Sequence, residues 1–435
     1  MRILALGINY WPEEFGIAPF NTGRCEYLTS RGHEVTVCTG FPYYPEWKIP
    51  DHYRNHLMTS EERNGVRILR SYLYVPGRVT SRKRILHEGS FVTSSLLRAL
   101  GERKPDVLFV VSPPLGLAIS AVILSRIWRI PFVFHVPDLQ PDAALDLGML
   151  RKGKVVSFFY SLERLAYRNA ALVSTLTVAM SKRILSKGVA PDKVVLFQDW
   201  IEPSLFDIPL QGGGQAFRNS FGLQDRFLVI HAGNMGVKQG LEVVLGAAQR
   251  SSGPDRISYL LVGDGAARAS LAARAAAIGL PNLRFLSAQP KEMFNDMMAA
   301  ADICLITQQR VVADIVFPSK TMTILAAGRP IVASLRAGSE VARVINEADA
   351  GVVVMPEDPQ ALFDAITALS RNEKARIAMG ENGRNYARTH WNRSRILPYI
   401  EAQLLNQIES HRAACRSRNR LASLFRRQAS RENRI

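Results

Sequence analysis

Phe227-Leu228-Val229-Ile230-His231-Ala232-Gly233-Asn234-Met235-Gly236-Val237-Lys238-Gln239-Gly240-Leu241-Glu242 is the stretch from which the fold is read. Its apolar start fits a buried strand, and the residues after Gly240 open a helical pattern. The glycines between them let the backbone turn sharply and come close to a ligand. A strand feeding a helix through such a loop is half of a βαβ unit. The helix start favours an anion, and Lys238 adds a point charge suited to phosphate.

The pattern repeats on both sides. Downstream, strand-like runs occur at 259–263, 283–286, 303–306, 331–333 and 351–354. Upstream, they occur at 3–7, 34–39, 66–71, 107–111, 132–135 and 171–174, with helical patterns between several of them. Such alternation predicts parallel strands with crossover helices, hence doubly wound α/β domains. Gln211-Gly212-Gly213-Gly214-Gln215 separates the two sets and reads as a flexible joint. The expected division is a Rossmann-like domain over 1–205, a linker over 206–225 and a second Rossmann-like domain over 226–385. A helix over 386–412 is expected to return to the first domain, and a disordered basic tail to occupy 413–435. Ligands of open α/β sheets bind beyond the carboxyl ends of the strands, so the two domains are expected to face each other across a cleft.

Composition narrows the classes. The chain has 435 residues, 47% of them apolar and 21% charged, which suits two packed cores and excludes global disorder. Cys25, Cys38, Cys304 and Cys415 lie far apart, without metal-ligand spacing or a CxxC pair, and read as reduced thiols in a cytosolic compartment. The net charge of +17 calls for an anionic partner. Much of it is local: Arg78, Arg82, Lys83 and Arg84 cluster early, and arginines crowd 412–434 against a single Glu432. No secretory signal is visible. The apolar run 107–124 carries Pro113-Pro114, so it reads as strand, turn and helix rather than a membrane span. No Walker loop and no G-x-G-x-x-G after the first strand are present, which argues against P-loop and dehydrogenase chemistry. No nucleic-acid-reading module is recognisable either.

Further loops carry candidate chemistry. Val262-Gly263-Asp264-Gly265 follows a strand and permits flat packing of a ligand on backbone. Phe317-Pro318-Ser319-Lys320-Thr321 opens a helix, so free N–H groups, the hydroxyls of Ser319 and Thr321 and the Lys320 charge suit a diphosphate. His135-Val136-Pro137-Asp138 stands at the end of a strand of the first domain. In Tyr10–Ala18, Gly16 and Ala18 are small enough for a phosphate or sugar to approach. Each loop taken alone also fits a purely structural role: a tight turn, a capped helix or a hydrogen-bonded corner.

Taken in order, these segments resemble the family 4 retaining glycosyltransferases, whose GT-B fold pairs two facing Rossmann-like domains with parallel sheets. The likeness extends to about Trp391 and includes Arg31-Gly32-His33-Glu34-Val35-Thr36-Val37 and Ala326-Ala327-Gly328-Arg329-Pro330-Ile331-Val332-Ala333. Gly7-Ile8-Asn9-Tyr10, Pro42-Tyr43-Tyr44-Pro45, the Gly233 loop and Pro318-Ser319-Lys320 are similar to the colanic-acid biosynthesis type, a fucosyltransferase branch. The resemblance implies an acceptor-binding first domain and a donor-binding second one. It implies transfer, with retention, from GDP-fucose or another GDP- or UDP-sugar to a polyprenyl-diphosphate-linked oligosaccharide, during bacterial exopolysaccharide or capsule synthesis. The donor would be held by Gly16, Ala18, Gly233, Asn234, Gly236, Gln239, Gly263, Gly265, Phe317, Pro318, Ser319, Thr321 and Thr323. His135, Asp138, Lys238 and Lys320 would act at the reacting centre, with no cofactor and no metal.

The family often has two glutamates beside the donor, where this chain has Ile315 and Thr323. Asn234 and Gln239 stand where the family has Arg and Lys, a charge that Lys238, Lys320 and Arg310 are placed to replace. Two alternatives stay open: a GT-B nucleotide-sugar epimerase, and a lapsed nucleotide-sugar-binding scaffold at the membrane. The stretch Arg82–Leu100 has an amphipathic pattern with cationic flanks. It suggests peripheral attachment to the anionic inner face of the plasma membrane from the cytoplasm, or else a helix packing its apolar side on the domain.

Overall fold

The computed structural model describes residues 1–78, 80–140, 142, 153–251, 256–311 and 319–432. They fall into two compact units, one of 1–199 with 394–435 and one of 200–393.

The first unit is built on an eight-stranded sheet of β1 (Arg2–Leu6), β2 (Glu34–Gly40), β3 (Met58–Arg63), β4 (Val66–Ser71), β5 (Val107–Val111), β6 (Phe132–Val136), β7 (Leu172–Thr175) and β8 (Val194–Leu196). Their order is β3-β4-β2-β1-β5-β6-β7-β8, so the winding direction reverses between β1 and β5. Strands β5 and β6 are buried at every position, as expected of a parallel sheet covered on both faces. Five helices of this unit are α1 (Ala18–Ser30), α2 (Ser81–Leu100), α3 (Leu117–Trp128), α4 (Lys154–Asn169) and α5 (Val178–Ser186).

The second unit carries β9 (Phe227–Ala232), β10 (Ile257–Val262), β11 (Leu283–Leu286), β12 (Ile303–Thr307), β13 (Ile331–Ser334) and β14 (Gly351–Val354), all parallel. Their order, β11-β10-β9-β12-β13-β14, is the 3-2-1-4-5-6 winding of a dinucleotide-binding sheet. Its helices include α6 (Gln215–Phe221), α7 (Glu242–Arg250), α8 (Arg268–Ala277), α9 (Lys291–Ala300), α10 (Ser319–Ala326), α11 (Glu340–Glu347), α12 (Pro359–Ser370) and α13 (Glu373–His390). Reversal between β9 and β12 opens a crevice beyond their carboxyl ends.

The last helix, α14 (Arg393–Glu432), belongs to the first unit from Ser394 onward. Glu401 ties it down, accepting hydrogen bonds from Tyr27 Oη at 2.9 Å and Arg31 Nε at 3.3 Å and meeting His33 Nε2 at 2.8 Å. Arg412 pairs with Asp106 at 2.7 Å.

Several expectations are corrected. The 206–225 stretch is no linker: α6 lies in it, and Ile208, Phe217 and Leu223 are buried in the core of the second unit. Its glycines serve close packing, since a Cβ on Gly214 would lie 2.2 Å from the Ala300 nitrogen. The basic tail is helical in its backbone to Glu432, in keeping with a sequence free of Gly and Pro after Pro398. The first sheet is not wholly parallel. Strands β3 and β4 form an antiparallel hairpin through Asn64 and Gly65, both at positive φ, the residue pair that such a turn favours. The 107–124 run is β5, a Pro turn and α3, and no helix among the described residues is long and apolar enough to cross a membrane.

Candidate active site

In the second unit, the loops after β9 and β10 are laced together by glycine. Gly233 and Gly263 have φ of +136° and +134°, and a Cβ on Gly263 would lie 2.1 Å from the Gly233 carbonyl oxygen. Gly265 has φ +154°, and a Cβ there would meet Asn234 Oδ1 at 2.4 Å. Backbone bonds fix the pair: Gly233 N donates to Val262 O at 2.9 Å and Met235 N to Asp264 O at 2.7 Å. Only glycine leaves this surface open to a ligand.

Lys320, in the first turn of α10, comes up under the same loop. Its Nζ is buried with no hydrogen-bond partner among the described residues, and lies 3.8 Å from where a Cβ on Gly233 would stand. Burial pushes the ammonium down to about 8. A buried cation without a counter-charge costs several kcal/mol and draws an anion to the site. The N–H groups in the first turn of α10, which have no acceptor within the helix, act in the same direction. Thr321 is fully buried beside it, its hydroxyl also without a partner among the described residues. His231, at the end of β9, is buried and held well below its ordinary range, first by desolvation and then by the Lys320 charge. It is therefore neutral and leaves Lys320 as the local charge.

The structure thus gathers Gly233, Asn234, Gly263, Gly265, Lys320 and Thr321 in one place. Gly236 and Gln239 belong to the same loop, with Gln239 Oε1 3.0 Å from a Cβ position on Gly236. Lys238 lies on a short 3-10 turn with its side chain exposed, while its carbonyl accepts from Gln309 N at 2.8 Å. Arg310 is exposed and engaged by Glu357, which accepts from its backbone N at 3.1 Å. Thr323 is half-buried on α10. Ile315, Phe317 and Pro318 lie outside the described residues, and of Ser319 only the backbone, at the start of α10, is described.

In the first unit, His135 is the penultimate residue of β6, fully buried, with Nδ1 3.0 Å from Ser174 Oγ. Its ring stacks on Phe109 at 5.8 Å between centroids. Nε2 has no partner among the described residues, and burial, then the Arg24 charge, keeps the ring neutral. Arg24 is itself buried, with its guanidinium over Phe109 at 5.1 Å and Nη1 donating to Asn21 Oδ1 at 3.2 Å. Asp199, also near Arg24, is pushed up to about 7 by burial, with Arg24 opposing and Asp138 adding to the rise. Asp138 is half-buried. Gly16 is exposed at φ +63°, and Ala18 is buried at the start of α1.

Sequence reasoning missed Glu13, Arg24, Asp199 and His231. Glu13 anchors the loop after β1, accepting from the backbone N of Tyr43 and of Tyr44, each at 2.9 Å, and from Asn9 Nδ2 at 2.8 Å. Spacing does not mark Glu13, Arg24 or Asp199, since the Tyr43 and Tyr44 backbone, the Phe109 ring and the Arg24 charge that define their settings come from distant stretches of the chain. His231 alone carried a signal, a polar residue inside an apolar strand.

Known proteins resemble the chain in sequence and in fold. Residues 15–200 match the Glycosyl transferase 4-like domain, and residues 215–386 match Glycosyl transferases group 1. A protein of Escherichia coli K12 named for colanic acid biosynthesis glycosyl transfer, WcaI, is 35% identical over 373 residues, 84% of this chain and 91% of that one. The fold is similar to sucrose-phosphate synthase of Thermosynechococcus elongatus (TM-score 0.73, 16% identity, covering 94% of this chain and 99% of that one). It is also similar to Anabaena HepE in complex with UDP (TM-score 0.68, 18% identity, covering 93% and 100%). With both halves matched in order, the chain belongs to the family 4 glycosyltransferases of GT-B fold, which take their sugar from a nucleotide donor.

Proposed function

We propose that the protein transfers a hexose from GDP-fucose, or from another GDP- or UDP-sugar, to a polyprenyl-diphosphate-linked oligosaccharide in bacterial exopolysaccharide or capsule assembly. The observation that carries the donor half is the buried Lys320 ammonium beneath the Gly233 and Gly263 loops, without a hydrogen-bond partner among the described residues. The likeness to WcaI supports the choice of pathway and acceptor. The reaction takes place at the cytoplasmic face of the inner membrane, with the enzyme bound peripherally.

As the glycosidic bond breaks, negative charge grows on the leaving diphosphate. Lys320 and the N–H groups opening α10 meet that charge in a water-poor site, where fixed donors are most effective. Lys238, exposed on the 3-10 turn of the Gly233 loop, adds a second cation. These groups take the part of a divalent metal, so transfer proceeds without one. Retention follows from front-face attack by the acceptor hydroxyl, with the departing phosphate accepting its proton. Neutral His135, fully buried, acts from behind the loop that carries Asp138, and half-buried Asp138 orients the acceptor. A panel of GDP-, UDP- and dTDP-sugars with membrane extract tests the reading, scoring nucleoside diphosphate release and lipid-linked product. Turnover of none of them, or product only in the absence of lipid, refutes it.

A further inference from the structure

The outer surface of the first unit has a feature that donor chemistry does not use. Helix α3 packs against α2 on one side and α4 on the other, forming one continuous layer. Arg126 Nη2 on α3 donates to Asn169 Oδ1 at the end of α4, at 3.4 Å. The inward residues of α2, Phe91 among them, are fully buried, so that helix is seated on the domain. Outward, the layer is apolar. Ile119, Ile123 and Ile127 stand one turn apart along α3 at 37%, 36% and 57% exposure. Leu97 on α2 is 61% exposed and Phe158 on α4 57%.

Charge on this layer has one sign. Arg82, Lys83, Arg126, Arg129, Arg164 and Arg168 are all exposed. The three helices contain two carboxylates, and both are occupied. Glu88 pairs with Arg84 at 3.2 Å, and buried Glu163 accepts from Lys187 at 2.7 Å and Tyr167 at 2.8 Å. Aliphatic side chains among arginines, without free carboxylates, match a surface that is anionic outside and oily beneath. A second copy of the chain set on this face would place cation against cation.

We propose that the α2–α3–α4 face is the membrane-docking surface, lying flat on anionic phospholipid with the α3 isoleucines reaching past the headgroups. This deepens the peripheral-membrane reading above and rests on it. Flotation of the full chain tests it, using phosphatidylglycerol/phosphatidylcholine vesicles against phosphatidylcholine alone. Wild type should float with the anionic vesicles only, and release from them at high salt, where charges are screened. The double variant Ile123→Asp/Ile127→Asp should partition about tenfold less or weaker still, having exchanged two inserted apolar groups for charge. Ile278→Asp, an exposed apolar position at the end of α8 in the second unit, should float as wild type does. Nucleotide binding by the double variant should be unchanged, which shows that it is folded. Equal flotation of wild type and the double variant overturns this face while leaving the membrane reading standing. Equal capture by neutral vesicles overturns docking on anionic lipid, and failure of wild type to float at low salt overturns both.

Discussion

Replacing Lys320 with methionine keeps the side chain's length and removes its charge. In wild type, burial lowers this ammonium from an ordinary 10.5 to about 8. Holding it charged at neutral pH therefore costs the fold about 3 kcal/mol. The folded value lies below the unfolded one, so the unfolded chain binds more protons between the two. Wild type consequently gains stability as pH rises from about 8 to 10.5, and pays the full cost below 8. Lys320→Met should be more stable than wild type by about 3 kcal/mol at pH 7, with the gap closing toward pH 10. Urea unfolding at the two pH values measures this. The same variant should lose nucleoside diphosphate binding, so added nucleotide stabilises wild type alone. Near pH 8 half of the free sites are uncharged, and a diphosphate recharges them, so binding should take up about half a proton. Calorimetry in buffers of different ionisation heat reads that uptake. A less stable variant at pH 7, unchanged nucleotide affinity, or binding without proton uptake would refute the reasoning.

Other expectations follow from neighbouring features. Gly265→Ala places a Cβ 2.4 Å from Asn234 Oδ1 at φ +154°, and should weaken donor binding with a stability loss of about 1–3 kcal/mol, read by thermal unfolding with and without nucleotide. Asp199, raised to about 7 by burial, makes the fold lose stability as pH climbs from its ordinary 3.8 toward 7. Asp199→Asn should flatten that slope in urea titrations across the interval, and a parallel slope in both proteins would count against it. Glu401→Ala removes the acceptor shared by His33, Tyr27 and Arg31, and should cost about 1–3 kcal/mol and raise amide exchange along α14. Turnover should survive chelation of divalent ions with EDTA, and a sharp drop restored by added metal would show that Lys320 and α10 do not suffice.

The strands were legible because their burial demands unbroken apolar runs. Strands β9, β10, β12 and β13 of the second unit were visible for that reason. The hairpin at Asn64-Gly65 was missed because β3 is an edge strand, MTSEER, with little apolar content. Gly212–Gly214 misled, because glycine marks close packing as readily as flexibility, and only the position of Ala300 tells the two apart. Arg329 is a structural residue. It follows the glycine of a family motif, yet its guanidinium donates to the carbonyls of Ala327, Ala299 and Ala301 at 3.1, 3.3 and 3.4 Å and braces the core. Donor-loop glycines and Lys320 could be picked out by local spacing. Arg24 and Asp199 could not, since 175 residues separate partners that meet only when the sheet closes.

The return of α14 to the first unit has a bearing on how the protein is made. His33 meets Glu401 across 368 residues, with the whole second unit encoded between them. At a ribosomal pace of about 5–20 residues per second, α1 and β2 wait roughly 20 s or longer for that partner. The second unit is continuous in sequence and can close during that interval. The first is completed last although it is begun first, so its nascent form leaves the α14 seat at Tyr27, Arg31 and His33 vacant throughout synthesis of its neighbour.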